Sequence, residues 1–240
     1  MKTIIIAGAS GGIGNSIAKK LDKVNNRLIL LGYKNEKALT ELSKNLKCES
    51  CVFLCNLSNY NETKKLFDDI IKKYRKIDAL ISSVGVSKIN LIQDVSENEF
   101  DYIMNSNFKS NFNITKFVSK NMISNKSGKI VYISSMWGKV GASCESVYSA
   151  SKGALNSFAL SIAKELAPSN INVNVVSPGL IDTKMNINLS KETIKQVIEE
   201  TPLNRIGKPS DVANLVEYLI SEKASFITGQ IISIDGGFSM

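Results

Sequence analysis

Apolar positions along this chain fall into two alternating rhythms. Short runs rich in Ile, Val and Leu stand at Thr3–Ala7, Arg27–Leu31, Cys51–Cys55, Ala79–Ser83, Lys129–Ser134, Asn172–Ser177 and Gln230–Ile234. Between them, apolar residues recur at helical spacing over Ile13–Val24, Glu36–Leu46, Glu62–Tyr74, Asn107–Ser124, Val147–Ala167 and Asp211–Ser221. Near-continuous apolar strands belong to sheets covered on both faces. Strict alternation of strand and helix predicts an α/β fold, a doubly wound parallel sheet of about seven strands with helices on both faces. No Pro/Gly/Ser-rich linker divides the 240 residues and no repeat is visible, so residues 1–240 read as one domain. Asn186–Thr201 departs from the rhythm. It follows Pro178-Gly179, is polar with sparse apolar positions, and is expected to form a mobile helical flap over the site.

Sheets of this kind bind ligands at the carboxyl ends of their strands, near the switch in strand order. Directly after the first strand comes Gly8-Ala9-Ser10-Gly11-Gly12-Ile13-Gly14. Glycines at 8, 12 and 14 let the backbone turn sharply and approach a pyrophosphate, while the helix that begins there aims free N–H groups at the anion. Strand, loop and helix in that order predict a Rossmann-type dinucleotide site. The second strand ends Leu30-Leu31-Gly32-Tyr33-Lys34. An NAD site usually places Asp or Glu here for the ribose 2′-OH. Neither Gly32 nor Tyr33 is acidic and Lys34 suits a 2′-phosphate, so NADP(H) is expected over NAD(H). Glu36 is the carboxylate that would favour NAD, were it to turn back from the helix start.

A second constellation is Tyr148 followed four residues later by Lys152, within a helical period. Positions i and i+4 share one helix face. An ammonium there is expected to stabilise phenolate and lower a phenol pKa that starts near ~10. Such a tyrosine exchanges a proton with a carbonyl or alcohol oxygen. The reading gains weight because the chain contains no histidine.

Composition narrows the remaining classes. The net charge of +8 comes from lysines scattered along helical stretches, such as Lys72-Lys73-Tyr74-Arg75-Lys76, which read as solvated faces. An anionic ligand or acidic carrier fits this balance; no nucleic-acid recognition motif is present. Cys48, Cys51, Cys55 and Cys144 lack a second CxxC or a histidine to complete a zinc site, so free thiols and no metal are expected. The opening Met1–Gly8 is too short in apolar residues for a signal peptide, and no stretch approaches ~18 apolar residues, so a cytoplasmic protein off the membrane is expected.

Taken together, these motifs resemble the classical short-chain dehydrogenase/reductase family over essentially the whole chain. The family's TGxxxGxG loop is matched by Gly8, Gly12 and Gly14, with Ala7 in place of threonine. Its Asn-Ser-Tyr-Lys set is matched by Asn107, Ser135, Tyr148 and Lys152, and its PGxxxT segment by Pro178–Thr183. Thr228-Gly229-Gln230 and Asp235-Gly236-Gly237 match its last strand. Two departures stand out. The NNAG after the fourth strand is Ser82-Ser83-Val84-Gly85, so hydroxyls or backbone must replace two amides, and the usual acid after the third strand is Asn56.

The resemblance implies roles. Ser135 hydrogen-bonds the substrate oxygen and Tyr148 delivers the proton. Lys152 tunes the tyrosine and holds the nicotinamide ribose, and Asn107 anchors a water leading to Lys152. Cofactor contacts are implied at Gly8, Ser10, Gly11, Gly12, Ile13, Gly14, Lys34, Asn56, Leu57, Ser83, Gly85, Tyr148, Lys152, Pro178, Gly179, Ile181 and Thr183. A homotetramer paired through Asn107–Ser124 and Val147–Ala167 is implied as well.

Within the family the chain looks most like 3-oxoacyl-acyl-carrier-protein reductases, including its Gly207–Ala213 segment. Of their two carrier-docking basic positions, one is Lys126 here and the other is Ser169, which is not basic. The substrate loop contains Trp137, Cys144 and Glu145. A carboxylate there suits a cationic or polyhydroxyl substrate, and the loop resembles that of reductases of the aminopentanone modification on elongation factor P. A sugar, polyol or other small-ketone dehydrogenase is a further alternative, and a nucleotide-sensing or scaffold protein the non-enzymatic one.

Overall fold

The computed structural model describes residues 1–187 and 189–240. Seven strands form one sheet: β1 (Lys2–Ala7), β2 (Asn26–Gly32), β3 (Glu49–Leu54), β4 (Ala79–Ser82), β5 (Gly128–Ile133), β6 (Ile171–Pro178) and β7 (Gln230–Ile234). Their order is β3-β2-β1-β4-β5-β6-β7, and every neighbouring pair is parallel. Parallel neighbours need a crossover between them, which the helices supply. These are α1 (Gly12–Lys20), α2 (Glu36–Lys44), α3 (Tyr60–Tyr74), α4 (Glu97–Met104), α5 (Ser110–Ser124), α6 (Trp137–Val140), α7 (Ser146–Leu166), α8 (Lys191–Glu200) and α9 (Pro209–Leu219).

Side chains alternate across each strand, so one run of apolar residues feeds two cores. Ile5, Ile29, Leu80, Tyr132 and Val173 face Phe67 of α3, Ile114 of α5 and Leu155 of α7. Ile4, Ile6, Leu28, Leu30 and Val131 face Ile17 of α1, Leu39 of α2 and Val212 and Val216 of α9. Burial on both faces accounts for the absence of polar alternation in the strands. The strand order reverses between β1 and β4, and the loops that leave these strands open the crevice at the sheet's carboxyl edge.

The helix boundaries differ from expectation in instructive places. α1 stops at Lys20, not Val24; Leu21 closes it, and Val24 is 84% exposed in the following turn, so that apolar residue carries no helical phase. The predicted helix Asn107–Ser124 is longer and interrupted. α4 begins after Ser96, whose side chain accepts from Glu99 N–H, and continues through a π-turn, Asn105–Lys109, into α5. The loop after Ser135 contains the short helix α6. Within the predicted flap, α8 is capped by Ser190 and buries none of its residues, while Asn188 lies outside the described residues.

Candidate active site

The structure brings the four chemistry-bearing residues together from three elements. Ser135 follows β5 at its carboxyl end, Tyr148 and Lys152 lie on consecutive turns of α7, and Asn107 sits in the π-turn. Single π-turns inside longer helices recur at functional sites. The Ser135 hydroxyl lies against the Tyr148 phenol and draws its pKa down, and the Trp137 backbone N–H donates to Ser135 Oγ at 3.2 Å.

The electrostatics correct one expectation. Burial pushes the Tyr148 phenol up to about 12, with the Glu145 carboxylate adding to the rise, rather than the phenol falling under the influence of Lys152. The reason is that the lysine is buried too. Its Nζ lies 5.8 Å from the tyrosine ring centroid, donates to Ile133 O at 3.0 Å, and is pushed down to about 8 by desolvation. Two desolvated groups each favour their neutral forms. Tyr148 therefore stands protonated throughout the neutral range, as a proton donor must.

Asn107 is fully enclosed and engages both hydrogen-bonding ends of its side chain. Its Oδ1 accepts from Val86 N–H at 2.7 Å, and its Nδ2 donates to Val86 O at 2.9 Å and to Ser151 Oγ at 2.9 Å. The amide thus clamps the loop after β4 to α7. That clamp brings Gly85 against Lys152: a β-carbon there would lie 3.0 Å from Nζ. Gly138 of α6 packs equally tightly on Lys152 Cβ, and Asn156 Nδ2 donates to Gly138 O at 3.1 Å.

The glycine-rich turn is shaped for close approach. Gly8 has φ +79°, a backbone region costly for other residues, and a β-carbon on Gly14 would sit 2.3 Å from Gly8 O. Gly11 precedes α1 without a side-chain cap, and the first turn contains no acidic residue, so the helix amides are left for an anion. Ile13 occupies that first turn. Ser10 Oγ lies near Gly32 at the end of β2, where the adenosine ribose would rest. Lys34 is exposed, its Nζ 5.3 Å from the Tyr33 ring centroid, while Glu36 opens α2 at the surface.

The departures from the family pattern are resolved locally. Ser83 Oγ donates to Ala7 O at 3.0 Å and reaches Gly8 O at 3.3 Å, a hydroxyl bridging β4 to the phosphate turn. Asn56 Oδ1 accepts from Ser58 N–H and Ser58 Oγ, closing a turn, and the neighbouring Leu57 is buried with its carbonyl bonded by Asn113. On the far side, Pro178 O accepts from Met136 N–H, Gly179 N–H donates to Ile234 O, and Ile181 bridges to Gly207. Thr183 stands so close to Gly12 that a β-carbon there would meet its methyl at 2.8 Å. A cavity of about 580 Å³ opens between Gly12, Ile181, Thr183 and the flap residues Ile187 and Ile194. Glycine turn, uncapped helix and adjoining cavity fit a nicotinamide dinucleotide.

The substrate loop is tied across the mouth. Glu145 does not cap α7; its carboxylate accepts from the Ser87 hydroxyl, the nearby Trp137 side chain draws its pKa down, and burial outweighs both and raises it. Asn90 N–H donates to Cys144 O at 2.8 Å, and Cys144 adopts φ +61°. Ser87, Val86 and Ser151 were not singled out in the sequence, since a serine or a backbone amide in a loop bears no local signal. Lys126 and Ser169 share one end of the molecule, where the neighbouring Asn170 Nδ2 donates to Lys126 O at 3.4 Å. The four cysteines are free, and among the described residues no group of three potential ligands gathers for a metal and no helix is long and apolar enough to cross a membrane.

Known proteins share this arrangement. Residues 8–239 match the family model described as enoyl-(acyl-carrier-protein) reductase. An uncharacterised oxidoreductase of Bacillus subtilis is 39% identical over 241 residues, covering 99% of this chain and 98% of its own. A 3-oxoacyl-[acyl-carrier-protein] reductase of Rickettsia felis is 37% identical, covering 100% of this chain and 97% of its own. The crystal structure of a Brucella melitensis 3-oxoacyl-[acyl-carrier-protein] reductase superposes with a TM-score of 0.91 at 26% identity, covering 100% of this chain and 91% of that one. Sequence, strand order and the grouping of Ser135, Tyr148 and Lys152 agree: the chain is an oxidoreductase belonging to the short-chain dehydrogenase/reductase family, similar over its whole length to 3-oxoacyl-acyl-carrier-protein reductases.

Proposed function

We propose that the protein is an NADP(H)-dependent reductase that converts a ketone to a secondary alcohol, its substrate a 3-oxoacyl thioester on an acidic carrier protein. The observation that carries the reading is the Ser135–Tyr148 hydroxyl pair beside Lys152, at the carboxyl end of β5. When bound, the cofactor supplies the hydride. Ser135 orients the carbonyl oxygen and Tyr148 donates its proton to that oxygen. Lys152 then compensates the phenolate that remains. A phenol kept protonated is the form that reduction consumes. Lys34 supports NADP(H) by offering an exposed cation two residues after the end of β2. Carrier attachment is supported by the relatives' activity and by Lys126. Exposed Phe112, Ile123 and Leu160 on α5 and α7 support pairing of these helices in a homotetramer.

One observation favours a second substrate. Glu145 is a partly desolvated carboxylate beside the reacting phenol whose polar partners, Ser87 and Trp137, are neutral. A cationic ketone would pair with it, which supports reduction of the aminopentanone group on elongation factor P. The decisive comparison is NADPH-dependent turnover of acetoacetyl thioester against an amino ketone, in the unaltered protein and in Glu145→Gln. Thioester preference unaffected by Glu145→Gln supports the carrier reading. Amino-ketone preference lost in that variant replaces it. Tyr148→Phe must lose at least about 100-fold in turnover while retaining NADPH binding; near-normal turnover would overturn both.

A further inference from the structure

The segment after β7 reaches the catalytic serine through one side chain. Trp137 makes three contacts in three directions. Its backbone N–H donates to Ser135 Oγ, its side chain lies near enough to Glu145 to draw that carboxyl's pKa down, and its ring meets Phe238 edge-on, with centroids 5.5 Å apart and planes at 82°. Edge-to-face pairs of this geometry have a preferred orientation and so fix one ring relative to the other. Phe238 is itself held in place. Gly236 and Gly237 adopt φ +66° and +92°, turning the chain back, and Asp235 accepts from Gly237 N–H and Ser239 N–H at 3.1 Å each. A second tie runs alongside, since Lys139 Nζ donates to Ser233 Oγ at 2.9 Å. The short helix α6 is therefore fastened to the last strand at Ser233, to the segment after it at Phe238, and to α7 at Gly138.

From these contacts we infer that Phe238 is a positioning residue for the reaction. It fixes Trp137, and through it both the Ser135 hydroxyl that receives the carbonyl and the Glu145 carboxylate at the mouth. A one-ångström displacement of a positioning group is enough to cost large factors in rate, so the contact is expected to act on the carbonyl substrate and leave the nucleotide alone. This inference rests on Ser135 and Tyr148 forming the carbonyl site.

Trp137 is the chain's only tryptophan, so its emission reports this contact without interference. The experiment compares the unaltered protein with Phe238→Ala and Phe238→Tyr, reading tryptophan emission, NADPH Kd, and KM and kcat for acetoacetyl thioester. In Phe238→Ala the emission maximum moves to longer wavelength, kcat/KM falls roughly 10-fold, and NADPH Kd is unchanged. Phe238→Tyr restores both. Unchanged emission, unchanged kcat/KM, or an NADPH Kd that weakens in step with kcat/KM would each overturn the positioning role. If the unaltered protein does not turn over the thioester, the proposed carrier reaction fails on its own account. The same kinetic comparison then runs on the amino ketone, and the emission still decides whether Phe238 holds Trp137.

Discussion

Gly85 stands directly against the ammonium of Lys152, with room for a hydrogen and no more: a β-carbon would come 3.0 Å from Nζ and 3.5 Å from Asn107 Oδ1. Asn107 draws the loop into this position through Val86, so the glycine, the amide and the lysine form one packed unit. Gly85→Ala should push Nζ aside by a few tenths of an ångström. The expected result is a roughly 10-fold fall in kcat with a melting temperature close to that of the unaltered protein. Steady-state kinetics beside a thermal melt checks this; unaltered kcat would mean that Lys152 tolerates displacement.

Lys152 is a buried charge whose pKa is pushed down from 10.5 to about 8. Below pH 8 both folded and unfolded chains bind its proton, and the folded chain bears the full desolvation cost. Between 8 and 10.5 the unfolded chain binds more protons, so its contribution to stability rises with pH. Lys152→Met removes the charge. It should be more stable than the unaltered protein at pH 7 by on the order of 1–3 kcal/mol, an advantage that fades as pH approaches 10.5. Urea titrations at three pH values provide the measurement, and a variant less stable at pH 7 would contradict the assignment.

Tyr148 acts in the opposite sense at higher pH. Its phenol rises from 10.0 to about 12 on folding. The stability associated with keeping it neutral is present below pH 10 and is lost as pH climbs from there through about 12. Tyr148→Phe should flatten the decline of stability over that window in the same titrations, and a slope identical to the unaltered protein would refute the shift.

The phosphate turn separates two glycines that look alike in sequence. A β-carbon on Gly14 would meet Gly8 O at 2.3 Å and Ala9 Cα at 2.9 Å, both backbone atoms, whereas one on Gly11 would approach only Gly8 O, at 3.4 Å. Gly14→Ala is expected to cost about 1–3 kcal/mol and to abolish NADPH binding, while Gly11→Ala keeps its stability. Thermal melts with and without NADPH test the pair.

Lys34 follows the end of β2, where the 2′-phosphate is expected, and it makes no ion pair among the described residues. Lys34→Asp should raise the KM for NADPH by roughly 10-fold, equivalent to about 1.4 kcal/mol, and narrow or reverse preference over NADH. An unchanged ratio of kcat/KM for the two nucleotides would remove Lys34 from cofactor selection.

The fold was readable because burial on both faces leaves the central strands largely apolar, and the sheet's parallel order follows from the alternation with helices. The candidate quartet could be picked out because Tyr148 and Lys152 share a helix face and Ser135 follows a strand end. What escaped notice depends on contacts between segments distant in sequence. Ser87 matters only because Glu145 turns towards it across 58 residues, and Phe238 only because two glycines fold it back onto Trp137. The misjudged phenol pKa has the same origin. Spacing shows that an ammonium lies on the same face, but not that Lys152 would be stripped of water and committed to Ile133 O.

The π-turn at Asn105–Lys109 has a consequence for how this chain can vary. A π-turn takes in one residue more than an α-turn, so α4 and α5 are out of phase with each other by about one residue's rotation, ~100°. Within the turn Asn107 is fully buried and meets Val86, while Ile103 before it and Ile114 after it are also buried. Removing any one residue here would heal the helix into a regular one and swing the amide away from the loop it clamps. A surface loop tolerates a single-residue deletion; this helix, mostly polar at that point in sequence, has its length fixed to the residue by the bonds of one amide to Val86 and Ser151.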